Sequence, residues 1–478
     1  MEHRRLRISY SSISFLIIFV LVFNSSCIKF PKPIPNPYIQ ANRYLYPFSS
    51  EQKNITASIS INLKNDATVN EIGAEIPPLK YNKSWLFLLS QDDTRHESFC
   101  VTWAAIHGKP IPVDKHYYDV EHLEAEDFPP GIMTLGKTLG STDGAGNEVR
   151  FSFLITVAPE KHSMNRKPNV LPGYNVNQDR FKMNECLTFS NVKEMLNSGV
   201  GIAFHDVKTT AVDIVDSVKK HLEISQKILL DTLKGRGCKT LAEPEGNKVY
   251  IEAAKIIPEI QVITAQTEVE AIYPFQNPSA LYNIPLRREP VVEENFRNYI
   301  EKKLALPKEQ REAVAVFVHQ TGTYFANHLL WLNNTYGKDG DDSMWAPSLE
   351  EYYEYNYYRL NGNVKVIKDN KTVKLEVFLP SSDYFYYPSV TINVKGLKMA
   401  DIESVTSGDE VKGMSYADYK DGVMINIDCR KFLMEHATHY VEKYEKTKKV
   451  TDRADAIYFV KMLKESSAKR ALLTRVGL

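Results

Sequence analysis

Hydrophobic and polar positions along this chain change their period several times. Residues 54–64, NITASISINLK, alternate with a period of two, which predicts a strand with one buried face. Between 76 and 360, short apolar runs alternate with segments whose apolar residues recur at helical spacing. The run Trp85–Leu89, the stretch VRFSFLITVAP (149–159), GVGIAFHDV (199–207), EIQVITAQT (259–267) and EAVAVFVHQTG (312–322) predict strands. Residues 211–234 place Ile214, Val215, Val218, Leu222 and Leu229 on one helical face, and Gly235 stops that helix. TYFANHLLWLNNTYG predicts a helix closed by Gly337. Ser348, with Glu351 three residues on, predicts a capping box that opens a Tyr-rich helix reaching Arg359. Strands alternating with helices predict an α/β fold built on a parallel sheet or barrel. From Gly362 the pattern returns to period two around Asn, Asp and Gly turns, predicting a small C-terminal antiparallel β domain. The last stretch, to residue 478, is charged and helical.

Composition narrows the function. Lys plus Arg equals Asp plus Glu at 59 each, and a neutral chain argues against nucleic acid as a partner, since phosphate binding needs a basic surplus. Arg4, Arg5 and Arg7 precede the apolar run FLIIFVLVF (15–23), which is too short to span a bilayer, and NSSC follows, ending at Cys27. A basic start, a short apolar core and small residues describe a secretory signal. Cys27 after two serines resembles the lipidated cysteine of bacterial lipoproteins, although Asn24 departs from the aliphatic residue usual in that motif. KFPKPIPNPYIQ (29–40), with four prolines, predicts an extended tether. The expected organisation is a signal at 1–27, a tether and strand region at 28–75, an α/β barrel at 76–360, a β-sandwich-like domain at 361–430 and a helical segment at 431–478. The expected location is the bacterial envelope, periplasmic or at the cell surface, with the membrane as partner through the lipid. The remaining cysteines, Cys100, Cys186, Cys238 and Cys429, match no metal spacing and predict isolated buried thiols.

Chemistry concentrates where predicted strands end. SWLFLLSQDDTRH runs an apolar strand into Asp92 and Asp93, a pair of like charges that either closes a loop in water or holds something positive. Two further strands end at His205 and His319. In barrel-type α/β folds the carboxyl ends of the strands share one rim, so these groups are expected to converge.

At this point the chain resembles the polysaccharide deacetylases of carbohydrate esterase family four, over about residues 80–360, and within them the Bacteroidetes-type members. The resemblance implies a distorted (β/α) barrel. It implies that Asp92 is the catalytic base and that Asp93 binds a divalent metal, zinc or similar. EMLNSGVGIAFHDV is similar to the second motif of that family, which makes His205 a metal ligand. GCKTLAEPEGNKVYIEAAK is similar to the third, which places Pro244 and Gly246 in a loop lining the substrate groove. AVAVFVHQTG is similar to the last, which makes His319 the general acid. The implied reaction is metal-dependent hydrolysis of N- or O-acetyl groups on a polysaccharide.

Three positions depart from the family pattern. A second metal-binding His is expected four residues after His205, where Thr209 stands. An Arg that tunes the base is expected two residues before Pro244, where Ala242 stands, and Glu245 replaces an aromatic residue. A catalytic zinc site usually has three protein ligands and an open position. Asp93 and His205 make two, and His96, Asp206 and His221 are the other candidates, none at the family spacing. The alternative expectation is therefore an impaired deacetylase-like barrel that serves as a glycan-binding envelope lipoprotein. Trp345 and the tyrosines of 349–360 offer rings that could stack on sugars, although helix packing accounts for them as well.

Overall fold

The computed structural model describes residues 54–64, 71–113, 132–165, 186–276 and 278–478. The predicted signal, Cys27 and the predicted tether lie outside the described residues. Among the described residues no helix is long and apolar enough to cross a membrane.

Eight short parallel strands form a nearly closed barrel: β1 (Trp85–Gln91), β2 (Leu154–Val157), β3 (Gly201–Phe204), β4 (Thr240–Ala242), β5 (Val262–Ala265), β6 (Pro285–Arg287), β7 (Glu289–Pro290) and β8 (Val314–Val318). Their order is β6-β5-β4-β3-β2-β1-β8-β7, and β9 (Met344–Trp345) pairs with the start of β1. The ends of this sheet, β6 and β7, are separated in sequence by one residue, Arg288. β6 pairs with β5 and β7 pairs with β8, so the chain closes the barrel by crossing from one edge to the other at Arg288. The helices of this region are α1 (Phe189–Asn197), α2 (Val215–Thr232), α3 (Lys248–Lys255), α4 (Phe296–Leu304), α5 (Thr323–Tyr336) and α6 (Leu349–Asn361).

Strand alternation decides what faces inward, because successive side chains point to opposite faces. Trp85, Phe87 and Leu89 pack outward in one hydrophobic core, while Leu86 and Leu88 belong to a second. Ala203 on β3, Ala242 on β4, Leu286 on β6 and Ala315 on β8 share that second core. Two residues further along each strand, the same inward parity reaches Ser90 and then Asp92, His205, Pro244, Arg288, and Phe317 and then His319. The rim chemistry continues the apolar rows of the barrel interior.

Two antiparallel sheets make the β domain. One carries Asn363–Asp369, Thr372–Pro380, Asn54–Leu63 and Ile402–Ser407 in that order, and the other carries Gly73–Glu75, Ser389–Lys395, Gly422–Asp428 and Gly413–Tyr419. The strand at 54–63 thus lies inside a sheet, paired with 372–380 on one side and 402–407 on the other. Ala57, Ile59 and Ile61 are buried with Val373, Leu375 and Val377. The tyrosines Tyr352, Tyr353, Tyr355 and Tyr358 of α6, with Trp345, are buried in this core, which leaves none of them as a sugar-stacking surface. The predicted capping box at the start of α6 is half formed. Ser348 accepts a hydrogen bond from the Glu351 N–H at 3.3 Å, but the Glu351 carboxylate pairs with Lys80 at 2.8 Å instead of reaching back. Lys80 lies on the approach to β1, so its charge claims the carboxylate that the box requires.

Charged side chains are buried beneath α6. Arg236 donates to Glu350 at 2.6 Å, and Lys239 donates to Glu354 at 2.6 Å and to the Tyr384 carbonyl at 2.8 Å. The backbone N–H groups of Tyr386 and Tyr387 satisfy the rest of Glu354. This network ties the start of β4 to the β domain. The C-terminal helices α7 (Leu433–Thr447), α8 (Val450–Lys461) and α9 (Ser467–Arg475) form their own apolar cluster. Asp455 of α8 is buried with Arg150, Lys109 and His107, which anchors this bundle to the barrel. Cys100, Cys186, Cys238 and Cys429 are buried free thiols, as expected.

Candidate active site

Asp92 follows the last residue of β1, and its N–H donates to the Val318 carbonyl of β8 at 2.9 Å. Continuing the inward row of Leu88 and Ser90, its side chain is 1 % exposed. Such a carboxylate needs a partner, and Arg288 supplies it. One Arg288 nitrogen donates to both Asp92 oxygens, at 2.8 and 2.6 Å, and to the Ser90 hydroxyl at 3.1 Å. Its other terminal nitrogen donates to the Glu243 carbonyl at 2.7 Å. Its guanidinium also lies over the Phe317 ring, 4.7 Å from the centroid. The arginine that Ala242 fails to provide therefore arrives from the barrel's closing residue. The sequence signal was modest: IPLRREP (284–290), a short run between two prolines with two arginines at its centre, where β alternation sends Leu286 and Arg288 inward.

Asp93 turns away from this pair. Asp93 and Thr94 both have left-handed backbone, φ 63° and 55°, an uncommon conformation that is strained for a β-branched residue such as threonine. The Thr94 N–H donates to Thr156 of β2 at 3.0 Å, and the Thr94 carbonyl accepts from Leu187 at 2.8 Å, which holds the turn. One Asp93 oxygen lies 3.7 Å from Nε2 of His205. The other accepts from Nε and Nη2 of Arg95 at 3.3 and 3.1 Å. The His205 imidazole beside it, reinforced by Arg95 and the charge of His319 and opposed by burial, holds the Asp93 carboxyl well below the usual carboxylate range.

His205 begins the segment after β3. Its Nδ1 donates to the Ala242 carbonyl at 2.8 Å, and a carbonyl can only accept, so that nitrogen carries a proton. Burial disfavours the imidazolium, but Asp93 and Asp92 outweigh it and raise the His205 pKa. His319 follows β8, exposed at the rim, with its ring edge-on to Phe317 at 5.5 Å. Its carbonyl accepts from the Gln91 side chain at 3.2 Å, and Gln91 is fixed in turn by Thr102 and Thr321. Asp92, Asp93, His205 and His319 thus meet on one end of the barrel.

Pro244 and Gly246 stand in the turn from β4 into α3. Glu245 and Gly246 are both left-handed, φ 52° and 70°, and a Cβ at 246 would meet only the Thr267 methyl at an ordinary 3.7 Å. Backbone conformation rather than crowding therefore favours glycine there. Asn247 caps α3 by accepting from the Val249 N–H at 3.0 Å. The loop adjoins Asp92 through Glu243, whose carbonyl Arg288 holds.

The donor set for a divalent metal is short. Among the described residues no group of three His, Cys, Asp or Glu side chains converges on a common point. Asp93 and His205 stand together, but the Thr209 hydroxyl is engaged by Ser217 at 2.8 Å and by the Ala211 N–H at 3.1 Å. His221 bonds to Glu160 at 2.8 Å, Asp206 lies 3.7 Å from Lys161, and buried His96 stacks beside Phe99. None completes the set, and the residues present do not fit a catalytic zinc ion.

The sequence pattern of a protein family described as "Putative polysaccharide deacetylase" matches residues 57–477. No curated protein sequence matches the chain.

Proposed function

Since the chain belongs to this polysaccharide deacetylase family, we propose that it hydrolyses acetyl groups on a carbohydrate at the C-terminal rim of the barrel. The observation that carries this reading is the buried Asp92–Arg288 pair. A charged pair this far from water is costly to assemble, and here it fixes one carboxylate at the mouth of a rim that also carries two histidines. Asp92 would take the proton of the attacking water, with Arg288 and Ser90 fixing its orientation. His319, exposed at the neighbouring strand end, would return a proton to the departing oxygen or nitrogen. Pro244 and Gly246 would flank the sugar. None of these steps is routed through a metal.

The incomplete ligand set favours a second reading, in which the rim binds glycan without turnover. One pair of measurements separates the two: acetate release from an acetylated oligosaccharide, and its binding. The hydrolase reading expects wild-type turnover that Asp92→Asn abolishes while affinity is kept. Binding without acetate release would sink it and leave the glycan-binding reading.

The proposal also places the chain outside the cytoplasm, lipid-anchored to the bacterial envelope through Cys27, on the strength of the basic start, the apolar run 15–23 and the proline-rich tether. Metabolic labelling with a radioactive fatty acid should mark the wild-type chain and not Cys27→Ser. Equal labelling of both would overturn the anchor.

A further inference from the structure

The carboxylate that would hold a metal in this site is already occupied by a protein cation, Arg95. Both oxygens of Asp93 are engaged, one facing His205 at 3.7 Å and the other held by two nitrogens of Arg95 at 3.3 and 3.1 Å. This arrangement is built into the backbone. The consecutive left-handed residues Asp93 and Thr94, pinned by Thr156 and Leu187, turn the Asp93 carboxylate back toward the Arg95 side chain two residues on. Zinc arriving here would have to displace a guanidinium, and it would find two protein ligands where it needs three. Thr209, at the position for the third, is already engaged by Ser217 in the first turn of α2 and by the Ala211 N–H of its own loop.

We propose that Arg95 is the resident cation of this rim: its guanidinium, rather than a divalent metal, balances Asp93 and offers its remaining donors to the acetyl carbonyl oxygen of the substrate. Arginine suits the task because it is charged at every working pH and presents its donors in a rigid fork. Nε and one Nη2 hydrogen are committed to Asp93, which leaves the rest of a fork of five N–H donors. The side chain is 35 % exposed, so those donors are open to a ligand approaching the rim. Such donors stabilise charge developing on a carbonyl oxygen when they are fixed beforehand, and Asp93 does the fixing. This inference rests on the carbohydrate reading for the identity of the ligand, but not for the exclusion of metal.

Two titrations of the full-length chain test it. The first uses zinc alone, on wild type, Arg95→Lys, Arg95→Met and the double variant Arg95→Met/Thr209→His, each checked for its circular dichroism. Wild type and Arg95→Lys should take up no stoichiometric zinc, because each keeps a cation on Asp93. The double variant, freed of the cation and given a third ligand, should bind it stoichiometrically. Stoichiometric zinc in wild type, lost in Asp93→Ala, would overturn the proposal. The second titration uses a tetramer of N-acetylglucosamine in the presence of EDTA. Binding should be indifferent to the chelator and fall about tenfold in Arg95→Met, a loss of about 1.4 kcal/mol. Affinity unchanged in Arg95→Met would remove the carbonyl-binding role, and affinity abolished by EDTA would restore the metal. Absence of any oligosaccharide binding in wild type would refute the carbohydrate reading and the carbonyl role together, while the zinc titration would still decide which cation Asp93 carries.

Discussion

Removing Arg288 should do more damage than removing any surface arginine, and the structure gives the size. Asp92 is 1 % exposed, and one Arg288 nitrogen sits on both of its oxygens at 2.8 and 2.6 Å. Arg288→Met leaves a side chain of similar length but strands a carboxylate away from water. Breaking a buried pair from one side typically costs about 3–5 kcal/mol. Asp92→Asn is milder, because Arg288 keeps the Ser90 hydroxyl and the Glu243 carbonyl, at 3.1 and 2.7 Å, and loss of a charge-assisted hydrogen bond costs about 1.5–3 kcal/mol. The double variant buries neither charge. Its loss should fall short of the sum of the single losses by about 2 kcal/mol, within the range seen for contacting residues. Urea unfolding of the four proteins, with midpoint and slope both fitted, measures this coupling. In parallel, Arg288→Met should lower the rate of acetate release rather than substrate affinity, since Arg288 touches Asp92, the proposed base, and not the rim surface. A cost of less than about 1 kcal/mol for Arg288→Met, or additivity of the two substitutions within about 0.5 kcal/mol as for independent sites, would show that Asp92 does not depend on Arg288.

Three further outcomes follow from other parts of the fold. Burial pushes His107 down to about 4, and Arg150 donates to its Nδ1 at 2.8 Å, so the native state keeps it neutral. Between pH 6.5 and 4 the unfolded chain binds more protons than the native one, so stability is complete above 6.5 and declines as pH falls, by up to about 3 kcal/mol. Asp455, kept well below the carboxylate range by Lys109 and Arg150 against the cost of its burial, adds a further loss below that window. Urea midpoints at several pH values should show this slope, and His107→Leu should flatten it. An unchanged slope would show that His107 is not the group responsible. Gly237→Ala would set its Cβ 2.4 Å from the Tyr384 ring, so chemical denaturation should show a loss of about 1–3 kcal/mol, and no loss would mean the ring has room to move. In a Cys27→Ser background a thiol reagent should reach the four remaining cysteines only on unfolding, since all are buried and burial pushes the Cys238 thiol up to about 12. Rapid labelling of the native chain would contradict that burial.

What the sequence disclosed depended on how local the signal was. An apolar run is a property of neighbouring residues, so the strands carrying Asp92, His205 and His319 were legible in the sequence alone, whereas the face each side chain takes was not, because Trp85–Leu89 is apolar at every position. The helix of 323–336 and its stop at Gly337 were legible for the same reason. The capping box at Ser348 was half right because a box is decided locally only when no distant charge competes, and Lys80 does compete for Glu351. His107 carried no visible signal. Its role comes from Asp455 and Arg150, and nothing in the sequence around residue 107 anticipates a helix more than three hundred residues away.

Arg288 shows the same limit at the site itself. Motif spacing asks for an arginine two residues before Pro244, finds Ala242, and reports a missing group. The physical requirement is weaker than the motif: a buried carboxylate at the end of β1 needs a permanent cation inside the barrel, from any strand whose inward row reaches that height. The crossing from β6 to β7 satisfies it, because Leu286 and Arg288 share one parity and Arg288 lies where the two sheet edges meet. Closure of the barrel and assembly of the Asp92–Arg288 pair are therefore one event. An open sheet would leave β6 apart from β8, Arg288 away from Phe317, and Asp92 without its partner. The pair should accordingly exist only in the closed barrel, so substitutions that weaken the β7–β8 edge should lower acetate release before they lower global stability. Equal sensitivity of the two would mean that the pair forms independently of closure.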